Sequence, residues 1–196
     1  MKGRVAVITA SSTGIGKGIA IRLAQEGVKV IISSRNQKHV DAAVAEINGL
    51  GGGEAFGIVC HVGKKEDRSK LISQTVEKFG RIDYVVPNAA VSTQMGSFIE
   101  ATEVQIQKML DINYTSAFLL VQEALPYLKK QKGSSIVLLG SYGAYDLPGI
   151  IGHYAVTKTM LVAMAKILAK ELMDDEIRVN CVCPGLIKTK FSSALW

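Results

Sequence analysis

The chain has 196 residues, 48% of them apolar, and a formal net charge of +6. That length is most simply one domain, residues 1–196, with enough apolar side chains for a sizeable core. No apolar run approaches a membrane span, and lysines and arginines are scattered without a basic block or interleaved aromatics, which argues against a nucleic-acid surface and for tolerance of an anionic ligand.

Met1-Lys2-Gly3-Arg4 leads straight into an apolar, β-branched run, Val5–Ile8, closed by Thr9. No signal or transit peptide is expected there, and a cytoplasmic location follows. A turn precedes a helix over about Gly14–Glu26, whose Ile15, Ile19 and Leu23 share one face and which Gly27 stops. Val28–Ile32 reads as the second strand, and Asn36 caps a helix that runs to about Leu50 and ends at Gly51-Gly52-Gly53. Phe56–Val62 is the third strand, Lys65–Phe79 a polar helix, and Tyr84–Pro87 the fourth strand. Thr102 caps a long helical stretch to about Lys130, with an irregularity near Asn113. Ser135–Leu139, a helix over Tyr154–Leu172 and a strand over Ile177–Cys183 complete the series.

Strand and helix alternate throughout, and the strands are nearly continuous in apolar character. Both features suit a parallel sheet covered on both faces. The expected fold is therefore α/β, a doubly wound parallel sheet of Rossmann type, whose ligands sit at the C-terminal edge of the strands. Cys181 and Cys183 are two apart in a strand and share one face. With no matching pair elsewhere they are expected to be strand thiols in a reducing compartment, and no metal is expected.

Three segments at that edge carry chemistry. After the first strand, Thr9-Ala-Ser11-Ser-Thr13-Gly14-Ile15-Gly16 places glycines where a pyrophosphate approaches a helix N-terminus. A Walker A loop is excluded, because Ser11 stands at its first glycine and Gly18 at its Ser/Thr. After the second strand, Ser34 and Arg35 occupy the region where an NAD-specific site carries an acid. Without that negative charge, and with a guanidinium to hand, a 2′-phosphate is accommodated, so NADP(H) is expected. Tyr154 and Lys158 lie four apart on one helix face, with Ser141 upstream. A tyrosine is a poor acid or base near neutrality unless a nearby ammonium lowers its pKa.

Gly14-Ile-Gly16, Asn88-Ala-Ala90, Asn113, Ser141, Tyr154, Lys158 and Pro184-Gly185-x-x-x-Thr189 occur in the order seen in short-chain dehydrogenases/reductases, and Ser141 precedes Tyr154 by the family's thirteen positions. The chain resembles that family along its whole length. The resemblance implies Tyr154 as general acid in reduction, Lys158 as the group that binds the nicotinamide ribose and depresses the tyrosine pKa, and Ser141 as the group that orients substrate. It implies Asn113 as holder of a water relayed to Lys158, and Asn88 as a brace near the cofactor. It implies cofactor contacts from Ser11, Thr13, Gly14, Ile15, Gly16, Ser34, Arg35, His61, Val62, Asn88, Ala89, Tyr154, Lys158, Pro184, Gly185, Ile187 and Thr189, the last two at the carboxamide. Ala10 stands at the usual first glycine of the turn, Ala90 at the glycine of Asn-Ala-Gly, and His61 where many members carry an adenine-contacting Asp.

Val59-Cys-His-Val-Gly-Lys64, Glu66-Asp-Arg68, Asn88-Ala-Ala-Val91, Pro184-Gly-Leu-Ile-Lys-Thr189 and the ending Phe191-Ser…Leu195-Trp196 are similar to a subgroup of NADPH-dependent carbonyl and retinol reductases. The expected substrate is a small-molecule ketone, α-dicarbonyl or retinal-like aldehyde, or the corresponding alcohol. Family members continue past the position of Trp196 with a seventh strand and a final helix, so a sheet lacking that last strand and helix, an incomplete lid and an exposed edge are expected. The peroxisomal C-terminal tripeptide suggested by the subgroup is absent from the sequence.

Rival readings are weaker. Gly140-Ser141-Tyr142-Gly143 with His153 faintly suggests a serine hydrolase, but Leu139 occupies the position where a nucleophile elbow needs glycine. A non-catalytic NADP-binding or interaction protein is the stronger alternative, because the missing segment bears on substrate closure. Asn113-Tyr-Thr115 matches a glycosylation sequon, a chance match without a secretory signal. The helix bearing Met160, Leu161, Val162, Met164, Ile167 and Leu168 is apolar around much of its circumference. One side then faces the sheet and another a symmetric partner, and a homo-oligomer, dimer or tetramer, is expected.

Overall fold

In the computed structural model, residues 1–193 are described; Leu195 and Trp196, which contribute to the subgroup resemblance, lie outside the described residues. Six strands form one all-parallel sheet: β1 (Val5–Ile8), β2 (Lys29–Ser34), β3 (Ala55–Val59), β4 (Tyr84–Val86), β5 (Ser135–Leu139) and β6 (Arg178–Val182). Their order is β3-β2-β1-β4-β5-β6, the doubly wound arrangement expected.

Strand periodicity sends alternate residues to opposite faces, and this divides the core in two. Val7, Ile31, Val85 and Ile136 meet Leu71, Leu120, Leu161 and Leu168 on one face. Ala6, Ile8, Val30, Ile32 and Val86 meet Ala20, Ala24, Val40 and Ile47 on the other. The first face is covered by α3 (Lys65–Phe79), α5 (Ser116–Leu128) and α7 (Gly152–Glu171), with α4 (Glu103–Leu110) packed against α7, and the second by α1 (Gly14–Gln25) and α2 (Gln37–Gly49). A four-residue helix, α6 (Gly143–Asp146), lies between β5 and α7 and was not expected from the sequence.

Most boundaries match the sequence expectation to within two residues. Asn36 caps α2 by accepting from the His39 N–H at 3.2 Å, and Thr102 and Gln105 form a capping box at α4. β3 ends three residues early, at Val59, because the backbone after Cys60 turns to meet α3: the His61 N–H donates to Asp67 Oδ2 at 2.8 Å. The long helix is broken at the expected place by a π turn over Asp111–Thr115, an insertion of the kind common at functional sites. β6 is an edge strand among the described residues, with Arg178, Asn180 and Val182 exposed along it.

Candidate active site

Because β1 and β4 are neighbours whose connections leave toward opposite faces, a crevice opens above them at the C-terminal edge of the sheet. Asn88 ties the two sides together. Its Nδ2 donates to the Thr9 carbonyl at 2.9 Å and the Ala10 carbonyl at 3.2 Å, while Thr9 Oγ1 accepts from the Asn88 and Ala89 N–H groups. Gly16 sits under that brace. A Cβ there would lie 2.5 Å from Asn88 Nδ2 and 2.7 Å from the Ala10 carbonyl, so only glycine lets the first turn of α1 come so close to the loop. Ala10 has φ of +50°, a left-handed conformation that costs an L-residue roughly 1–2 kcal/mol and accounts for the glycine that family members carry there.

A cavity of about 1290 Å³ extends from this turn across β2 and β3. Thr13, Ser34, Arg35, His61, Val62 and Ala89 all line it. Arg35 is exposed at the end of β2, free to swing onto an anion. Gly63 N–H donates to His61 Nδ1 at 3.2 Å, which leaves Nε2 as the ring's donor in the neutral form. Ser11 is positioned differently from the contact implied for it. It is fully buried, and its hydroxyl donates to the Ile8 carbonyl at 2.7 Å and accepts the Ser33 N–H at 2.9 Å. Its side chain therefore holds β1, β2 and the loop together and does not face the cavity. Ser12, not singled out from the sequence, lines the cavity instead.

A second cavity of about 530 Å³ lies on the other side of the crevice, lined by Ile15, Ser141, Tyr154, Pro184, Gly185, Ile187 and Thr189 among others. Ser141 Oγ accepts the Gly143 N–H at 3.1 Å, so the first turn of α6 fixes the hydroxyl. Burial pushes the Tyr154 phenol above its usual range, and its hydrogen bond with Ser141 offsets part of that. The Tyr154 ring packs against Phe191, centroids 5.8 Å apart.

Lys158 lies on the same helix, deeply buried beside Tyr154. It is 3% exposed, and its Nζ donates to the Leu139 carbonyl at 2.6 Å while lying 5.5 Å from the Tyr154 ring centroid. Burial draws the ammonium down to about 8. Desolvation raises Tyr154, while the Lys158 ammonium beside its ring sits on a backbone carbonyl.

Asn113, in the π turn, is 1% exposed. Its Oδ1 accepts the Val91 N–H at 2.8 Å, and its Nδ2 donates to the Val91 carbonyl and to Thr157 Oγ1, both at 2.9 Å. Thr157 in turn donates to the Tyr154 carbonyl at 2.7 Å. The amide thus locks the loop after β4 to α7. Thr157 and the Leu139 carbonyl were not anticipated; the only sequence signal was the place of Thr157 beside Lys158. His153 stacks on Phe98 with centroids 4.0 Å apart, and its Nε2 bonds the Phe98 carbonyl at 2.9 Å. It is therefore engaged away from Ser141, which removes the hydrolase reading.

The buried ammonium makes a testable statement about stability. The native value of Lys158, about 8, lies below the ordinary 10.5. Below pH 8 both native and unfolded chains hold the proton, and the native state carries the full cost of the buried charge. Between 8 and 10.5 the unfolded chain holds more protons, so stability rises with pH. Relative to Lys158→Met, the unaltered chain should gain on the order of 3 kcal/mol across that window. Denaturant unfolding of both at pH 7.5 and pH 10 measures it; identical pH dependence would refute the buried-cation assignment.

A glycine turn at a switch-point crevice, beside a Ser-Tyr-Lys constellation on the same sheet edge, defines a dinucleotide-binding oxidoreductase. The comparisons with known proteins make this specific. The model of the short chain dehydrogenase family matches residues 4–196, and the chain belongs to that family. It is 45% identical over all 196 residues to dehydrogenase/reductase SDR family member 4 of Mus musculus, spanning 70% of that protein, and 46% identical over 194 residues to tropinone reductase-like 3 of Erythroxylum coca, spanning 74% of it. A solved 3-ketoacyl-(acyl-carrier-protein) reductase from Brucella melitensis, complexed with NADH, superposes with a TM-score of 0.91 at 27% identity over 97% of this chain and 78% of that one.

Proposed function

We propose that the chain is an NADP(H)-dependent reductase of ketones and aldehydes, with Tyr154 as general acid. The observation that carries this is the second cavity: Ser141 and Tyr154 are polar groups in a largely apolar lining that adjoins the glycine turn. Among the described residues its lining has no Lys or Arg, and its one charged residue is Asp146. That supports a neutral, apolar carbonyl over an oxoacid.

The residues present fit a nicotinamide dinucleotide. Gly16 leaves a cradle that a Cβ would fill, the N-terminus of α1 supplies free N–H groups, and Ser34 and Arg35 stand where a 2′-phosphate would be held. When bound, the dinucleotide supplies the hydride. The chain supplies the rest. Ser141 holds the carbonyl oxygen, Tyr154 gives its phenolic proton to that oxygen, and Lys158, anchored on Leu139, restores positive charge near the tyrosinate. Thr13, Ile15, Val62, Ala89, Pro184, Gly185, Ile187 and Thr189 shape the two halves of the groove.

Arg35→Ala should weaken NADPH by about tenfold or more, the range expected on losing a charge-assisted hydrogen bond, and leave NADH nearly unchanged. Titration with both dinucleotides checks it, and equal losses would remove the phosphate-reading role. NADPH oxidation with α-dicarbonyls, aromatic ketones and retinal tests the function itself. Dinucleotide binding without turnover would support instead the non-catalytic reading, which the 70–75% span of the curated relatives keeps in view.

A homo-oligomer is part of the proposal. On α7, Val156, Ala163 and Ile167 are exposed on one face, Val156 at 44% and Ile167 at 62%, while Leu161, Met164 and Leu168 are buried against the sheet. An apolar stripe of that kind suits a second copy of the chain. The three free thiols support a reducing, cytoplasmic compartment.

A further inference from the structure

We propose that Cys181 and Cys183 form an oxidisable dithiol, a modification site for hydroperoxides set into the floor of the active site. The two sulfurs lie 3.8 Å apart. Both rest on Gly140, where an added Cβ would meet Cys183 Sγ at 2.5 Å and Cys181 Sγ at 2.8 Å. Gly140 joins Leu139, whose carbonyl holds Lys158, to Ser141. The thiols also lie close enough to Lys158 for their charges to act on it. Neither thiol is fully buried. Cys60, the third thiol, is buried just past the end of β3.

A disulfide needs the sulfurs at about 2.05 Å, so they must close by about 1.8 Å. The place permits this. β6 ends at Val182, and Cys183 lies just past the last sheet residue, so the movement does not break the ladder within β6. Cys183, just past the end of β6, is the sulfur able to move and makes the attack; Cys181, held in the ladder opposite Leu138 and pushed up to about 11 by burial, resolves. Cys183 thiolate takes the terminal oxygen of the hydroperoxide, the O–O bond breaks, and an alcohol (water, for hydrogen peroxide) leaves after protonation. Cys181 sulfur then attacks the sulfenic sulfur. The S–S bond forms, the S–O bond breaks, and the departing hydroxide takes the Cys181 proton as water. The sum is two thiols and one hydroperoxide giving a disulfide, an alcohol and water.

The consequence follows from the floor. Closing the pair shifts the chain that bonds Gly140 N–H to the Val182 carbonyl and Tyr142 N–H to the Pro184 carbonyl, both at 2.8 Å. Ser141 and the Leu139 anchor of Lys158 move with it. This consequence rests on the proposed reductase function; the oxidation itself does not.

The test is hydrogen peroxide treatment of the intact chain, then trypsin, which releases residues 179–188 with both cysteines on one peptide. That peptide should be lighter by two hydrogens and closed to alkylation until reduced with dithiothreitol, while Cys60 stays alkylatable after denaturation. Turnover should fall at least tenfold on oxidation and return on reduction, and whatever turnover Cys183→Ala retains should no longer respond to peroxide. A peptide that alkylates twice, carries sulfinic acid, or is cross-linked between chains would overturn the site, whether or not the chain reduces carbonyls. Disulfide formation with turnover unchanged would overturn only the link to the active-site floor.

Discussion

On the proposed function, Tyr154→Phe should lower carbonyl reduction by the roughly 10²–10⁴-fold of a single general acid while dinucleotide affinity stays within about twofold. The argument is local. Tyr154 lines the apolar cavity with Ser141, and the hydrogen bond between the two sets its phenol beside the hydroxyl proposed to hold the carbonyl oxygen. Burial raises the phenol above its ordinary range, so at neutral pH it enters the reaction protonated, as an acid in the reductive direction must. Phenylalanine keeps the ring that packs against Phe191 and removes the proton alone. Stopped turnover with intact NADPH binding fits this scheme. Turnover within a fewfold of the unaltered chain would sink Tyr154 as the acid.

The second large effect is expected at the glycine turn. Gly16→Ala places a Cβ against Asn88 Nδ2, the Ala10 carbonyl and Ser11 Cα at 2.5, 2.7 and 2.9 Å. None of these can retreat cheaply. Asn88 is held by two carbonyls, and Ser11 is fully buried with both hydroxyl bonds made. The helix must move off the loop, at a cost of about 1–3 kcal/mol for overpacking, and dinucleotide affinity should fall more than tenfold with the cradle. Gly18, two residues on in α1, has nothing within 4 Å of a built Cβ. Gly18→Ala should therefore stabilise by about 0.4–1 kcal/mol and leave binding alone. Thermal unfolding and dinucleotide titration of the two variants decide the matter: equal behaviour would mean that the close approach at Gly16 is not what builds the site.

Lys158 shows what side-chain spacing leaves undetermined. Four residues on a helix place Tyr154 and Lys158 on one face, and the face is shared as expected. Spacing carries no information on what lies above the helix. There, the end of β5 offers the Leu139 carbonyl to the ammonium, and burial lowers the lysine and raises the tyrosine. Ser11 is a similar case. Its position in the loop is legible, but the direction of its hydroxyl depends on β2 running alongside.

Local chemistry was enough for the elements. Apolar runs made the strands, caps at Asn36 and Thr102 set helix starts, and Gly27 set a stop. The order of glycines, Asn88, Ser141, Tyr154 and Lys158 was enough for the family. These are properties of residues a few positions apart, which periodicity and hydrogen-bond reach determine without reference to the rest of the chain. The tertiary structure alone decided the strand order, the inward turn of Ser11, the desolvation of Lys158 and the seating of two thiols on Gly140. Each of those depends on groups brought together from distant segments, because burial and close contact are set by what the folded chain packs against a residue and not by its neighbours in sequence.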